Sequence, residues 1–307
     1  MEKISCPICG GDGFDLLFKA QDNICHIDGE FDIVKCEKCS LIITNPRPDK
    51  EEINRYYPKE YQCYNLNHSR TELVVKLRRF LGRFTDLFYS ETIILPLEET
   101  TPIILEIGCG GGNFLYEYSR LNPQHKIIGS DFNLEVIKAL KKQNLDVFQS
   151  DLTSIALETG HVDCVYGWMV LEHVHDINKA LGEIGRVLKK QGKFIFSIPN
   201  AASWEFKLFR GDCYSNHVPN HLYHFTPKTI KQLLKKNGFR IERILYQKTL
   251  RDAVESFRLV CARKKYYRLE SVLSWNLVLF VLTYPLAFVL SIFHKSSRMT
   301  IIAKKYD

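Results

Sequence analysis

Cys6-Pro-Ile-Cys9 and Cys36-Glu-Lys-Cys39 form two CxxC pairs separated by 26 residues. Thiolates are soft ligands, and two tight turns that each offer two of them complete the tetrahedral shell of a zinc ion. Four protein ligands leave no open position, so the expected role is structural. Gly10 and Gly11 supply the positive φ that such a knuckle needs, and Phe31 to Lys35 alternates like a strand running into the second pair. A ribbon this small carries too little apolar surface to fold without its metal. Two variants stay open: Cys25 or His26, between the knuckles, could replace one ligand, or the thiols could persist without zinc.

A second group of residues points to a nucleotide-type ligand. Pro102 to Leu115 reads as an apolar strand running straight into a glycine-rich turn, with Glu106, Gly108, Gly110, Gly111 and Gly112, and then a helix. Glycines let the backbone pass close under a ligand while the helix start offers N–H groups. A lone GxGxG is weak, because dinucleotide sites and plain turns share it. Here the next strand, Lys126 to Asp131, ends in a carboxylate placed to hold a ribose diol, and a third strand ends in Asp151. The third acid turns the reading away from NAD.

On these residues the chain resembles the class I S-adenosylmethionine-dependent methyltransferases, over roughly Thr101 to Gln247 plus the last ten residues. The resemblance implies that Glu106 orients the glycine loop and the ligand's ammonium, Asp131 holds the ribose, Asp151 with Leu152 meets the adenine, and Trp168 lies beside the methionine moiety. Ligands of such sheets bind beyond the carboxyl ends of the strands. Two stretches there hold proton-transfer groups: Glu172-His173 after the fourth strand, and His217-Val-Pro-Asn-His221-Leu-Tyr-His224 after the fifth. A histidine titrates near neutrality and can take an acceptor's proton. His221 or His173 is the preferred base, with His224 and Glu172 as further candidates. His173 could instead start a helix that positions the cofactor, and His221 and His224 could simply pack the loop. No Asn-Pro-Pro-Tyr/Phe signature follows the fourth strand, which favours oxygen or carbon as the methylated atom.

The elements that must position these residues alternate strand and helix, the pattern of a doubly wound sheet. Asp176 caps a helix through Leu188, Gly192 to Pro199 is the fifth strand, Thr226-Pro227 opens a helix that Gly238 closes, and Phe239 to Gln247 is the sixth strand. Arg298 to Lys305 fits the antiparallel seventh strand that the resemblance implies. The expected fold is α/β: a Rossmann-like seven-stranded methyltransferase sheet with a small N-terminal zinc ribbon and a C-terminal apolar helical insertion before the last strand. The expected organisation is a ribbon over 1–45, a helical linker region over 46–100 and a methyltransferase domain over 101–307, with the insertion at 268–296.

Residues 271–293 carry no charged side chain. If strands six and seven are neighbours, this run leaves the domain and returns to the same side, and Pro285 divides it into limbs shorter than the roughly 20 residues a span requires. Cations flank it on both sides: Arg263, Lys264, Lys265 and Arg268 before it, Lys295 and Arg298 after it. The expectation is a helical hairpin or bent helix dipping into the inner leaflet, with Trp275 and Tyr284 at interfacial depth. Burial in a core or a dimer interface is the alternative. A second amphipathic stretch, Leu73 to Phe88, has cations on its polar face.

The 307 residues carry a formal net charge of +7. The first residues lack the apolar stretch of a secretory signal, which leads to the expectation of a cytoplasmic chain, peripheral on the membrane, whose ten cysteines serve as thiols or ligands. The expected function is methyl transfer from S-adenosyl-L-methionine to an O or C atom of a small amphiphilic acceptor: a sugar, a lipid-linked glycan or a quinone or prenyl-type intermediate. Two rivals are an RNA base methyltransferase, disfavoured because no dense basic stripe with stacking aromatics stands out, and a non-catalytic cofactor-fold subunit at a membrane.

Overall fold

The computed structural model describes residues 1–58, 101–266 and 277–306. Most of the expected linker, including Leu73 to Phe88, and the expected interfacial Trp275 lie outside the described residues. The first strands are β1 (Phe14–Gln21), β2 (Glu30–Cys36) and β3 (Ile42–Thr44). There follow β4 (Ile103–Ile107), α1 (Asn113–Leu121), β5 (Lys126–Asp131), α2 (Leu134–Lys141), β6 (Val147–Gln149), β7 (Val162–Trp168), α3 (Ile177–Val187) and β8 (Leu188–Pro199). The chain closes with α4 (Trp204–Phe209), β9 (Tyr223–His224), α5 (Pro227–Lys236), β10 (Phe239–Tyr246), α6 (Arg251–Arg263), α7 (Leu277–Ile292) and β11 (Arg298–Lys305). The described residues form two compact units, one of residues 1–58, 198–236, 245–266 and 277–300, the other of 101–197, 237–244 and 301–306.

The second unit is built on a seven-stranded sheet in the order β10-β11-β8-β7-β4-β5-β6. Strands β4, β5, β6, β7 and β8 pair in parallel. The Gln247 amide donates to the Arg298 carbonyl at 3.2 Å and the Tyr306 amide to the Gly238 carbonyl at 2.9 Å, so opposite ends of β10 and β11 meet and the pair is antiparallel. Central β4 is apolar on both faces except for Glu106, as a parallel strand covered on both sides must be. Helix α3 buries Ile177, Ala180, Leu181, Ile184 and Val187, the spacing of a single helix face, and Asp176 caps it by accepting from the Lys179 amide at 3.1 Å. Each such fully buried aliphatic side chain stabilises by about 1.5–3 kcal/mol relative to exposure. On the other side of β4, Cys109, Leu115, Val136, Ile137, Leu140 and Val147 form a continuous cluster.

The first unit holds a four-stranded sheet, β1-β2-β3-β9, with every pair antiparallel. The ribbon is therefore not a self-contained module, because its sheet is completed by a two-residue strand from the segment after β8. Asn220 Nδ2 donates to the Tyr56 carbonyl at 2.8 Å, Asn23 Nδ2 to the Gly211 carbonyl at 2.9 Å and Lys236 Nζ to the Pro7 carbonyl at 2.7 Å, tying the same two segments together. The C-terminal α7 is one helix with Pro285 inside it. Ala287 and Ser291 are buried, whereas Leu282, Leu286, Val289 and Ile292 are exposed. Among the described residues no helix is long and apolar enough to cross a membrane.

Candidate active site

The cofactor candidates gather at the carboxyl end of β4 and its neighbours. Gly108, Gly110 and Gly112 all have positive φ, between 48° and 75°, which a glycine adopts without strain. A Cβ at Gly108 would lie 2.5 Å from Val170 Cγ2, and one at Gly112 would lie 2.7 Å from Leu140 Cδ2. The glycines therefore serve both backbone shape and space. Gly112 stands directly before α1, whose opening amides lie in the turn.

Two acids are buried against this turn. Glu106 is 3% exposed, and its Oε2 has no hydrogen-bond partner in the protein. Burial, and then the charge of Asp131, hold its carboxyl well above the usual carboxylate range. Asp131 accepts from the Gly110 amide at 2.9 Å through Oδ2 and from the Asn133 amide at 2.9 Å through Oδ1. Its pKa is raised by burial, with those amides opposing the shift. A buried carboxyl oxygen lacking a donor, next to a second acid, is a site made for a cation. The ammonium of an amino-acid ligand is one group with that charge, and a ribose diol can donate to a carboxylate such as Asp131.

The remaining cofactor candidates flank the turn. Asp151 is exposed, and its Oδ1 accepts from the Thr153 amide at 3.0 Å and hydroxyl at 2.8 Å. Leu152 is buried at φ 67°, a conformation a non-glycine residue adopts only when its surroundings hold it there. The Trp168 ring packs against Phe114 at 5.3 Å and Tyr166 at 5.7 Å, and its buried Nε1 lacks a hydrogen-bond partner. Glu172 and His173 lie on a 3-10 turn after β7, with Glu172 fully buried. Val170, which closes on Gly108, was not among the residues singled out in the sequence. Its role rests on a side-chain contact that spacing alone does not report.

His221 and His224 belong to the other unit. Both are buried, and His224 lies in β9 itself. Burial lowers the His224 pKa to about 3, so the ring stays neutral throughout the physiological range. The His221 Nδ1 lies 2.9 Å from the Ser215 carbonyl. Since a carbonyl only accepts, Nδ1 carries a proton, and in the neutral ring the lone pair is on Nε2.

The four cysteines of the two CxxC pairs are thiols whose Sγ atoms lie within 4.8 Å of one another. Cys6 and Cys39 are 3.3 Å apart and Cys9 and Cys36 are 3.5 Å apart. A tetrahedral zinc with bonds of about 2.3 Å has sulfur–sulfur edges of about 3.8 Å, so the cluster fits that ion with small adjustments. Burial raises the Cys6 and Cys39 thiols, while at Cys9 the burial effect is outweighed by the Gly11 amide and the neighbouring thiols, bringing it to about 7. Cys25 and His26 are not part of the cluster.

The family model described as a methyltransferase domain matches residues 76–244. A ubiquinone biosynthesis O-methyltransferase of Bartonella tribocorum is 27% identical over 150 residues, covering 45% of this chain and 60% of the relative. A demethylmenaquinone methyltransferase of Lactococcus lactis is 33% identical over 118 residues, covering 36% of this chain and 47% of the relative. The match thus spans less than two thirds of each relative's length. Among solved structures, that of the [4+2]-cyclase SpnF superposes with a TM-score of 0.51 at 16% identity, covering 85% of this chain and 97% of that one, a likeness of fold alone. The family match takes in the glycine turn, both buried acids and more than half of the chain, which belongs to the class I S-adenosylmethionine-dependent methyltransferases.

Proposed function

We propose that this chain methylates an oxygen or carbon atom of a small amphiphilic acceptor, with quinone or prenyl-type intermediates as the favoured class and sugars or lipid-linked glycans next. The observation that carries the methyl-transfer part is the buried Glu106 oxygen without a donor beside Asp131 and the glycine turn. When bound, S-adenosylmethionine supplies an electrophilic methyl on a sulfonium. The chain's own share is to hold two negative charges and an uncrowded turn around that ligand, to align the acceptor, and to take its proton. His221, through Nε2, and His173 are the proposed proton acceptors, with Glu172 beside the latter in sequence. Asp151, Leu152 and Trp168 are the proposed contacts to the adenosine and methionine ends. Cys6, Cys9, Cys36 and Cys39 are proposed to hold one structural zinc.

Two relatives named for quinone substrates support the acceptor class. So does α7, whose exposed Leu282, Leu286, Val289 and Ile292 suit a lipid interface, with the cation Lys248 5.4 Å from the Phe288 ring centre. We place the chain on the cytoplasmic face of an anionic membrane through residues 271–293. The test uses the zinc-loaded chain, S-adenosylmethionine, and phosphatidylglycerol vesicles carrying a demethylated quinone precursor or a polyprenyl-linked sugar. Expected results are co-flotation with the vesicles and mass-spectrometric detection of S-adenosylhomocysteine together with the methylated acceptor. Absence of donor binding by calorimetry overturns methyl transfer. Donor binding without flotation removes the membrane part alone.

A further inference from the structure

Residues Thr44 and His221 are 177 positions apart, yet the Thr44 hydroxyl donates to the His221 carbonyl at 2.9 Å. The Thr44 amide donates to the Leu222 carbonyl at 3.1 Å, and Ile42 and Ile43 pair with His224 and Tyr223. Thr44 is fully buried, as are Leu222, Tyr223 and His224 to within 2%. Arg47, three residues on, is 4% exposed and donates through Nη1 to the Tyr223 hydroxyl at 2.9 Å. The ribbon's last strand therefore grips the histidine segment at both backbone and side chain.

The Thr44 hydroxyl has one proton, and the His221 carbonyl takes it. Thr44 Oγ1 also lies 3.3 Å from His224 Nε2, and toward that nitrogen it can only accept. His224 must then carry its proton on Nε2, which makes that atom a donor and no base. His221 has the opposite tautomer, with Nδ1–H on the Ser215 carbonyl and the lone pair on Nε2. The two histidines, of which the sequence preferred His221 as a base without a structural reason, are distinguished by a single hydroxyl and a single carbonyl.

We propose that Thr44 is a positioning residue for the reaction: it fixes the backbone of His221, so that this ring's basic Nε2 is held in place, and it reserves His224 for structure. The chain of support runs from the second cysteine knuckle, where the Cys36 amide donates to the Leu41 carbonyl at 2.8 Å, directly into β3 and Thr44. The assignment rests on the methyl-transfer reading only for its kinetic consequence. The tautomers and the grip on His221 hold whether or not an acceptor is found.

The test combines imidazole nitrogen NMR with kinetics on the zinc-loaded full chain. In the unaltered protein, His221 is expected with a proton on Nδ1 and His224 as the neutral Nε2–H tautomer. Thr44→Val keeps the shape and removes the hydroxyl. It should shift both imidazole patterns and lower kcat about tenfold, with donor affinity unchanged within twofold, because displacing a positioned group by a fraction of an ångström is felt in the chemical step. Thr44→Ser should restore both readings. The proposal is overturned by the reverse tautomers in the unaltered protein, a measurement that needs no variant to fold. Unchanged His221 signals in a folded Thr44→Val chain also overturn it, as does a Thr44→Ser chain as impaired as Thr44→Val. If tautomers and rescue are as expected but no acceptor is ever methylated, the proposed function fails and the grip on His221 stands.

Discussion

Glu106 is a carboxyl group kept where its charge is unfavourable until a cation arrives. Its pKa is raised by burial and by Asp131, so a cationic ligand must draw it into the ionised form, and donor affinity should fall as pH is lowered. Glu106→Gln keeps the shape and removes the charge. Loss of a charge-assisted interaction of about 1.5–3 kcal/mol predicts a tenfold to hundredfold rise in the donor Kd by calorimetry, on the order expected for a buried ionic contact. Glu205 makes a different case. It is fully buried, and its pKa is pushed up to about 8 by burial first and Asp252 second, against the opposing effects of Ser297 and Arg298. In the unfolded chain it returns to the ordinary value of 4.5. Between these values the unfolded state releases a proton that the folded state retains, so this contribution is fully present below 4.5 and is lost as pH rises through about 8. The melting temperature should decline from pH 5 to pH 8, and Glu205→Gln should flatten that slope. A slope unchanged by the substitution would assign it to other groups.

At the scale of elements, the dependence on zinc expected of a two-knuckle ribbon changes once β9 is counted. A two-knuckle ribbon alone has little to bury. Here Phe31, Ile33, Ile43 and Tyr223 are each at most 3% exposed, all within one four-stranded sheet. Removing zinc should loosen the turns at Cys6–Cys9 and Cys36–Cys39 and lower the melting temperature, yet leave the β2–β3–β9 amides protected from hydrogen exchange. The measurement is exchange before and after chelation, and complete loss of protection in β3 would show that the metal alone holds the sheet. Helix α7 poses the converse problem. It is apolar nearly all round in sequence: Ala287 and Leu290 pack against Leu250, Ala253 and Trp204, whereas Leu282, Leu286, Val289 and Ile292 are exposed.

For the molecule as a whole, a net charge of +7 and a sheet of known topology say little about the acceptor, because one fold serves many reactions. What was legible in the sequence was local. The strand, glycine turn and helix around Glu106 to Gly112 occupy one short stretch, and Asp131 ends the next strand, so propensity and spacing suffice to place them. The two CxxC pairs declare themselves in the same way. Strand β11, which inserts between β10 and β8, was expected only through the family resemblance, because an apolar run by itself does not say which strands it will separate. Less was visible in the stretch from His217 to His224, where three histidines of similar neighbourhood differ only in what the fold sets against them. Thr44 lies far away in sequence, and a two-residue strand has no periodicity by which to be found. The burial of Glu205, the closure of Val170 on Gly108 and the joining of the ribbon to the segment after β8 are likewise contacts between distant positions. Residue order thus determined the elements and the glycine turn, since both are encoded within a few residues. Only the tertiary structure decided which histidine keeps a basic nitrogen, because a tautomer is set by the hydrogen-bond partners that folding brings to each ring.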